Sequence, residues 1–349
     1  MKFSDLLQQL KDGVVSDSLE LSDRTDPVIH GVAAIDEAQA GTLSYIEGQK
    51  FAHYLATTKA DAVILPVDEA LQAQAIAKGL AWMSTESPRL LFARAIALFY
   101  QPYHPRPEIH PIATIAPDVK LGSRVHIGPH VVIRSGAKIG DDVCIHPNVV
   151  IYPQVKIGDR TILHANCTIH ERTEIGADCT IHSGAVIGAE GFGFVPTPDG
   201  WLKMEQSGIT VLENGVSVGC NSTIDRPAVG ETRIGSQTKL DNLVHIGHGC
   251  KIGSGCAFAA QVGLAGGVTV GDRVILAGQV GIANQAKIGN GAIATAQAGI
   301  HSDVKPGAIV SDSPAIDNKL YLKNSAILKR LPEIYQTLKH IQRHLGLDQ

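Results

Sequence analysis

The chain has 349 residues, enough for two or three units with sizeable cores, and its formal charge of -4 excludes a binder of nucleic acid or another polyanion on average charge. No apolar run approaches the roughly 18 residues of a membrane span, and the longest, residues 90–100, is interrupted by Arg94. Asp5, Lys11 and Asp12 in an amphipathic N-terminus do not read as a signal peptide, and six cysteines without a CxxC pair read as free thiols of a reducing cytoplasm.

Residues 1–101 alternate short apolar runs with helical periodicity. Runs at 28–33, 43–46, 62–65 and 90–93 predict strands, and 3–10, 50–57 and 71–80 predict helices, so this segment reads as a small α/β domain. A stiff linker follows over 102–111, because residues 101–111 hold four prolines. From Ile115 to Ile187 every sixth residue is Ile or Leu, thirteen times without a miss. Neither a 3.6-residue helix nor a 2-residue strand explains a strict six. The period predicts a hexapeptide-repeat solenoid, a left-handed parallel β-helix over 112–310, whose corners are turned by Gly, Asn, Asp or Ser. Three six-residue faces make one coil, so residues eighteen apart stack about 4.8 Å apart.

The hexad is interrupted twice. After Ile187 it pauses at Gly191-Phe-Gly-Phe194 and returns at Leu212; a second shift across Asp225–Thr232 restarts it at Ile234. Phase breaks in a solenoid are extruded loops, where function is usually placed. Phe192 and Phe194 therefore read as a wall for an apolar ligand. Beyond Pro306-Gly307 the hexad is gone, and 317–330 and 332–345 predict two helices within a C-terminal extension, 311–349. Between Lys319 and His344, the six basic residues Lys319, Lys323, Lys329, Arg330, Lys339 and Arg343 stand against a single acidic one, Glu333. It reads either as a solvated helix face or as a docking surface for an acidic partner.

The segment Asp241-Asn-Leu-Val-His-Ile-Gly-His248 carries chemistry. Asp241 and His248 flank the inward Ile246, so a carboxylate is expected to hold one imidazole nitrogen and leave the other as general base. Gly266 lies eighteen residues beyond His248, and its backbone N–H is expected to polarise a carbonyl beside the imidazole. That combination suits acyl transfer from a thioester. His146, His164 and His182 are spaced by eighteens and predict a stacked ladder. Imidazoles about 4.8 Å apart in one column cannot converge on zinc at about 2.1 Å, so the ladder reads as structural or as an interface stack.

The ordered motifs resemble one family over nearly the full length. They are Leu43-Ser-Tyr-Ile46 with Lys50-Phe51, Ser87-Pro-Arg-Leu-Leu-Phe-Ala-Arg94, Ile109-His-Pro111, Gly188-Ala-Glu-Gly-Phe-Gly-Phe194, Thr223-Ile-Asp-Arg226 and the His248 segment. The chain is similar to UDP-3-O-(3-hydroxyacyl)glucosamine N-acyltransferases of lipid A biosynthesis. The resemblance implies a cytoplasmic homotrimer that uses no metal or cofactor. His248 would be the general base, Asp241 its orienter and the Gly266 amide the oxyanion donor. The acceptor would be UDP-3-O-acylglucosamine, with Tyr45 and Phe51 on the uracil, Asn242 beside the diphosphate and His245 in the sugar site. The acyl carrier protein would donate the chain and meet the basic C-terminal helices. Three positions depart from the family pattern: Gln285 replaces a histidine near the sugar, Gly48 replaces a uracil-binding asparagine, and Ala298 stands where some relatives cap the acyl tunnel with Met. Another hexapeptide acyltransferase, a non-catalytic solenoid scaffold and a zinc hydratase are the competing readings of the same repeat.

Overall fold

The computed structural model describes residues 1–20, 25–313 and 315–346, so the expected extension 311–349 is described without Pro314 and its last three residues. Two compact units, Met1–His104 and Pro105–Gln349, divide the chain.

The first unit holds α1 (Phe3–Leu10), β1 (Ser16–Asp17), β2 (Gly31–Val32), β3 (Thr42–Tyr45), α2 (His53–Thr57), β4 (Ala62–Pro66), α3 (Glu69–Lys78), β5 (Ala81–Thr85) and α4 (Pro88–Phe99). The sheet runs β1-β5-β4-β3-β2, parallel except for the β1–β5 pair. In α1, Phe3, Leu6 and Leu10 make one buried stripe. In α3, Asp68 caps the Ala70 and Leu71 amides, and Gly79 ends the helix at φ 74°. The expected strand at 90–93 is corrected: those residues lie in α4, which Pro88 opens and whose Pro88, Leu91 and Ala95 are buried at helical spacing. The strand of that region is β5, buried throughout.

The second unit is the left-handed β-helix. Its three parallel sheets have ten, nine and eleven strands. We call them the glycine face (Thr114–Ile115 to Gly299–Ile300), the lysine face (Lys120–Leu121 to Lys287–Ile288) and the mixed face (Glu108–Ile109 to Ile309–Val310). The mixed face begins inside the expected linker 102–111, because Glu108 and Ile109 already pair with His126 and Ile127. Register is eighteen residues, as in Ile133↔Ile151, and both interruptions are absorbed without loss of stacking, as in Ile187↔Ile224 and Ile224↔Ile246. Ile127, Ile145, Leu163 and Ile181 are fully buried, each worth about 1.5–3 kcal/mol of burial.

A second inward row runs two residues before the first. It contains Val125, Val131, Val143 and Val149, and also Cys167, Cys179, Cys250 and Cys256. These cysteines are core residues, and burial pushes the Cys167 thiol up to about 12 and the Cys250 thiol to about 11. Corners are less selective than glycine rules suggest: Gln261, Gln279 and Gln297 sit at φ 64°, 63° and 64°. Their side chains form an amide ladder, Gln279 Nε2 donating to Gln261 and Gln297 Nε2 to Gln279 at 2.7 and 2.8 Å. That ladder offsets a left-handed cost of about 1–2 kcal/mol per residue. The C-terminal helices are α5 (Asn318–Leu328) and α6 (Leu331–His344).

Candidate active site

On the glycine face, outward positions align as Thr223, His245, Gly263, Gly281 and Gly299 on successive coils. Three glycines in one column leave a bare trough above His245. The trough belongs to a cavity of about 680 Å³ lined by Phe192, Asp225, His245, His248, Gly266, Asn284 and His301 among others. A methyl on Gly263 or Gly281 would meet nothing within 4 Å, so the trough is open rather than packed.

His248 is half-buried in the turn that leaves strand His245–Ile246. Two glycines bracket its ring. A methyl built on Gly266 would fall 2.6 Å from Cε1 and 2.7 Å from Nε2, and one built on Gly191 would overlap the His248 Cβ. The imidazole is therefore held between the next coil and the extruded loop by the absence of two side chains. Among the described residues the Gly266 N–H meets no acceptor. That unpaired amide belongs to the residue whose Cα faces the His248 ring.

The carboxylate at His248 is Asp225, which the sequence spacing does not reveal. It follows Ile224, which pairs with Ile246 one coil on. Asp225 Oδ2 lies 3.9 Å from His245 Nε2, whose ring is fixed by a 2.7 Å bond between Nδ1 and Thr223 Oγ1. Burial raises the Asp225 pKa, and the charges of His245 and His248 oppose that rise. Within this chain Asp241 does not hold the expected place against His248. Asp241 is exposed in the turn before the strand while His248 is in the turn after it, and its Oδ1 accepts from the Asn242 N–H at 2.7 Å.

The other expected residues divide. His245, Gly266 and Phe192 line the cavity with His248. Phe194 lies behind Phe192, ring centroids 5.1 Å apart. Asn242 is on the far corner, its Oδ1 accepting from the Cys220 N–H at 2.7 Å, so its expected place beside the diphosphate is corrected within this unit. Gln285 sits at a left-handed corner, φ 61°, and its neighbour Asn284 lines the cavity instead. Ala298 is buried in the prism core and cannot cap an external tunnel; the outward residue is Gly299. Inward and outward positions alternate along a strand, so an alignment offset of one residue inverts the assignment.

In the first unit Tyr45 and Phe51 line a separate cavity of about 250 Å³ with Asp36, Glu47 and Tyr54. Tyr45 stacks on Phe92 at 4.5 Å, which fixes its ring plane. The His146, His164 and His182 rings stack at 5.1 and 4.9 Å with planes within 4°. Their nitrogens lie side by side rather than converging, and among the described residues no group of three His, Cys, Asp or Glu is arranged to hold a metal. The six basic residues expected to dock a partner lie on or beside α5 and α6, where Lys339 covers the Tyr335 ring at 4.8 Å and Arg330 meets Glu333 at 3.6 Å. No helix among the described residues is long and apolar enough to cross a membrane.

Comparison with known proteins gives consistent matches. The family described as UDP-3-O-(3-hydroxymyristoyl) glucosamine N-acyltransferase, LpxD, matches residues 26–98. The bacterial transferase hexapeptide (six repeats) family matches 136–171 and 231–266. Curated relatives named UDP-3-O-acylglucosamine N-acyltransferase from Gloeothece citriformis and Rippkaea orientalis are each 68% identical over 345 residues, 99% of this chain and 99% of theirs. The relative of that name from Synechocystis sp. is 64% identical over 343 residues, 98% of this chain and 100% of its own. Among solved structures, Arabidopsis UDP-N-acetylglucosamine acyltransferase is similar with a TM-score of 0.55 and 25% identity, over 59% of this chain and 71% of that one.

Proposed function

The chain belongs to the UDP-3-O-acylglucosamine N-acyltransferase family, and from that premise we propose that it moves a 3-hydroxyacyl group from acyl carrier protein to the 2-amine of UDP-3-O-(3-hydroxyacyl)glucosamine. The observation that carries the chemistry is the His248 imidazole packed against Gly266, whose N–H has no acceptor among the described residues, in an open cavity. His248 takes the proton from the 2-amine as its nitrogen attacks the thioester carbonyl. The oxyanion of the tetrahedral intermediate accepts from the Gly266 N–H. Collapse breaks the C–S bond, and the imidazolium returns its proton to the departing thiolate. Asp225 stabilises the imidazolium and, with Thr223, fixes His245 against the sugar. The glycine trough takes the acyl chain, Tyr45, Phe51 and Tyr54 take the uracil, and the basic C-terminal helices receive the acidic carrier protein.

The assembly is a homotrimer. Its support is the chemistry of the faces. The lysine face carries exposed Lys120, Lys138, Lys156, Lys251 and Lys287, which suit water. The glycine face carries Val132, Val150 and Val186, and the mixed face carries Ile275 and Ile309 at 47% and 68% exposure, which suit burial against a second copy. Six free cysteines fit the reducing cytoplasm. The test is product formation from UDP-3-O-acylglucosamine with matched 3-hydroxyacyl carrier protein and 3-hydroxyacyl-CoA donors. N-acylation that requires the carrier protein is expected; equal rates with CoA would remove the carrier from the account.

A further inference from the structure

The extruded segment after strand Val186–Glu190 contains a hairpin, Phe194–Thr197 with Gly200–Lys203, and rejoins the solenoid at Ile209–Leu212. Its outer part is exposed, with Phe192 and Trp201 at 83% and 72%. Its base is tied to one buried side chain. Arg226, 5% exposed, donates from Nε to the Gln206 carbonyl at 2.7 Å and from Nη1 to the Gly188 carbonyl at 2.8 Å. Both feet of the loop thus close on a single guanidinium. Nη2 meets Glu171 Oε1 at 2.7 Å and Glu190 Oε1 at 3.4 Å, which balances the buried charge. The Arg226 carbonyl in turn accepts from the Gly191 N–H at 3.1 Å. Gly191 is the residue whose Cα lies against the His248 side chain. Asp225, the preceding residue on the same strand, faces His245 and His248 from the cavity wall. A planar five-donor group is suited to this task, since no other side chain reaches two carbonyls and a carboxylate in fixed directions.

We infer that Arg226 is a positioning residue for the transfer reaction: by locking both feet of the 188–207 loop it presses Gly191 onto His248 and sets the imidazole against the Gly266 amide. It lies outside the cavity lining, so its effect passes through the loop and not through substrate contact. The inference rests on the reading of His248 as general base. A misplacement of about 1 Å at a reacting group costs about 100-fold in rate, which sets the expected size of the effect.

The experiment compares the full-length enzyme with Arg226→Lys, Arg226→Met, His248→Ala and, as a remote control, Arg160→Ala, whose guanidinium meets Asp178 on another corner. The readouts are kcat, KM for UDP-3-O-acylglucosamine, and amide exchange across residues 189–206. Arg226→Met is expected to lower kcat by about 10- to 100-fold while KM stays within a factor of about three, with faster exchange confined to the loop. Arg226→Lys should fall between, and Arg160→Ala should match wild type. A folded Arg226→Met with wild-type kcat, or one whose loss lies wholly in KM, overturns the inference. Should Arg226→Met fail to fold, Gly191→Ala decides: wild-type kcat in that variant overturns it as well. If His248→Ala itself turns over normally, the reading of the base has failed; if it is inactive and Arg226→Met is not impaired, only the role of Arg226 has.

Discussion

His248 owes its orientation to what its neighbours lack, and the carboxylate that shares its cavity is one the linear sequence places elsewhere. Asp225 precedes the second interruption of the hexad, so its distance from His248 is 23 residues rather than eighteen or seven. Only the register Ile224↔Ile246 brings the two coils together. Asp241 does not meet His248 within one chain, because adjacent corners of a prism are a full face apart even when seven residues separate them. Asp225 also yields a stability prediction. Its folded pKa is raised above 3.8 by burial. A raised carboxyl pKa contributes stability below the unfolded value that is lost as pH rises through the folded one. Asp225→Asn is therefore expected to be at least as stable as wild type at pH 7, with that difference shrinking toward pH 4 and below, while kcat falls about 100-fold. Thermal melts across pH and steady-state rates check both halves. A destabilised variant at pH 7 contradicts the account of burial.

At the scale of the element, the hexad was legible because the inward aliphatics from Ile127 to Ile187 are all buried and neither a helix nor a plain strand has that period. The second inward row, which explains four of the cysteines, is hidden in sequence by its mixture of Val, Ala, Thr and Cys. Helix α4 is hidden for a different reason. Its dense apolar run at 90–93 satisfies a strand pattern, and only Pro88 at the first turn favours the helix. The glycine column offers a direct test of the trough. A Cβ on Gly299 would make only ordinary contacts, 3.7 Å to His301 Nε2 and 3.7 Å to Asp312 Oδ2, so a larger side chain there is tolerated and projects into the cavity. Gly299→Met is expected to shift the preferred acyl donor to a shorter chain with little change in melting temperature, read by mass spectrometry of products from mixed donors. An unchanged product profile would place the acyl chain elsewhere. In the imidazole ladder, burial and then the charges of His182 and His146 lower the His164 pKa below 6.5. Stability from neutral His164 is present above pH 6.5 and lost as pH falls through the depressed value. His164→Asn should flatten the fall in melting temperature below about pH 6.5, and an unchanged slope would show that the ladder does not titrate with folding.

For the whole molecule, the sequence carried the architecture and singled out His248 as the candidate base, while the groups around that imidazole needed the register. The glycine and mixed faces carry fewer charges than the lysine face, which orients the prism in the proposed trimer and puts the trough on a face toward a neighbouring copy. A face with few charges, a free oxyanion donor and a bracketed imidazole have one common purpose in the proposed reaction: to seat a thioester beside an amine away from water. The central claim is that His248 removes the amine proton. The decisive measurement is single-turnover N-acylation of UDP-3-O-acylglucosamine by His248→Ala with saturating 3-hydroxyacyl carrier protein, alongside binding of both substrates to the variant. The account predicts a rate lower by about 10²–10⁴-fold with binding preserved; a variant that acylates at the wild-type rate would contradict it.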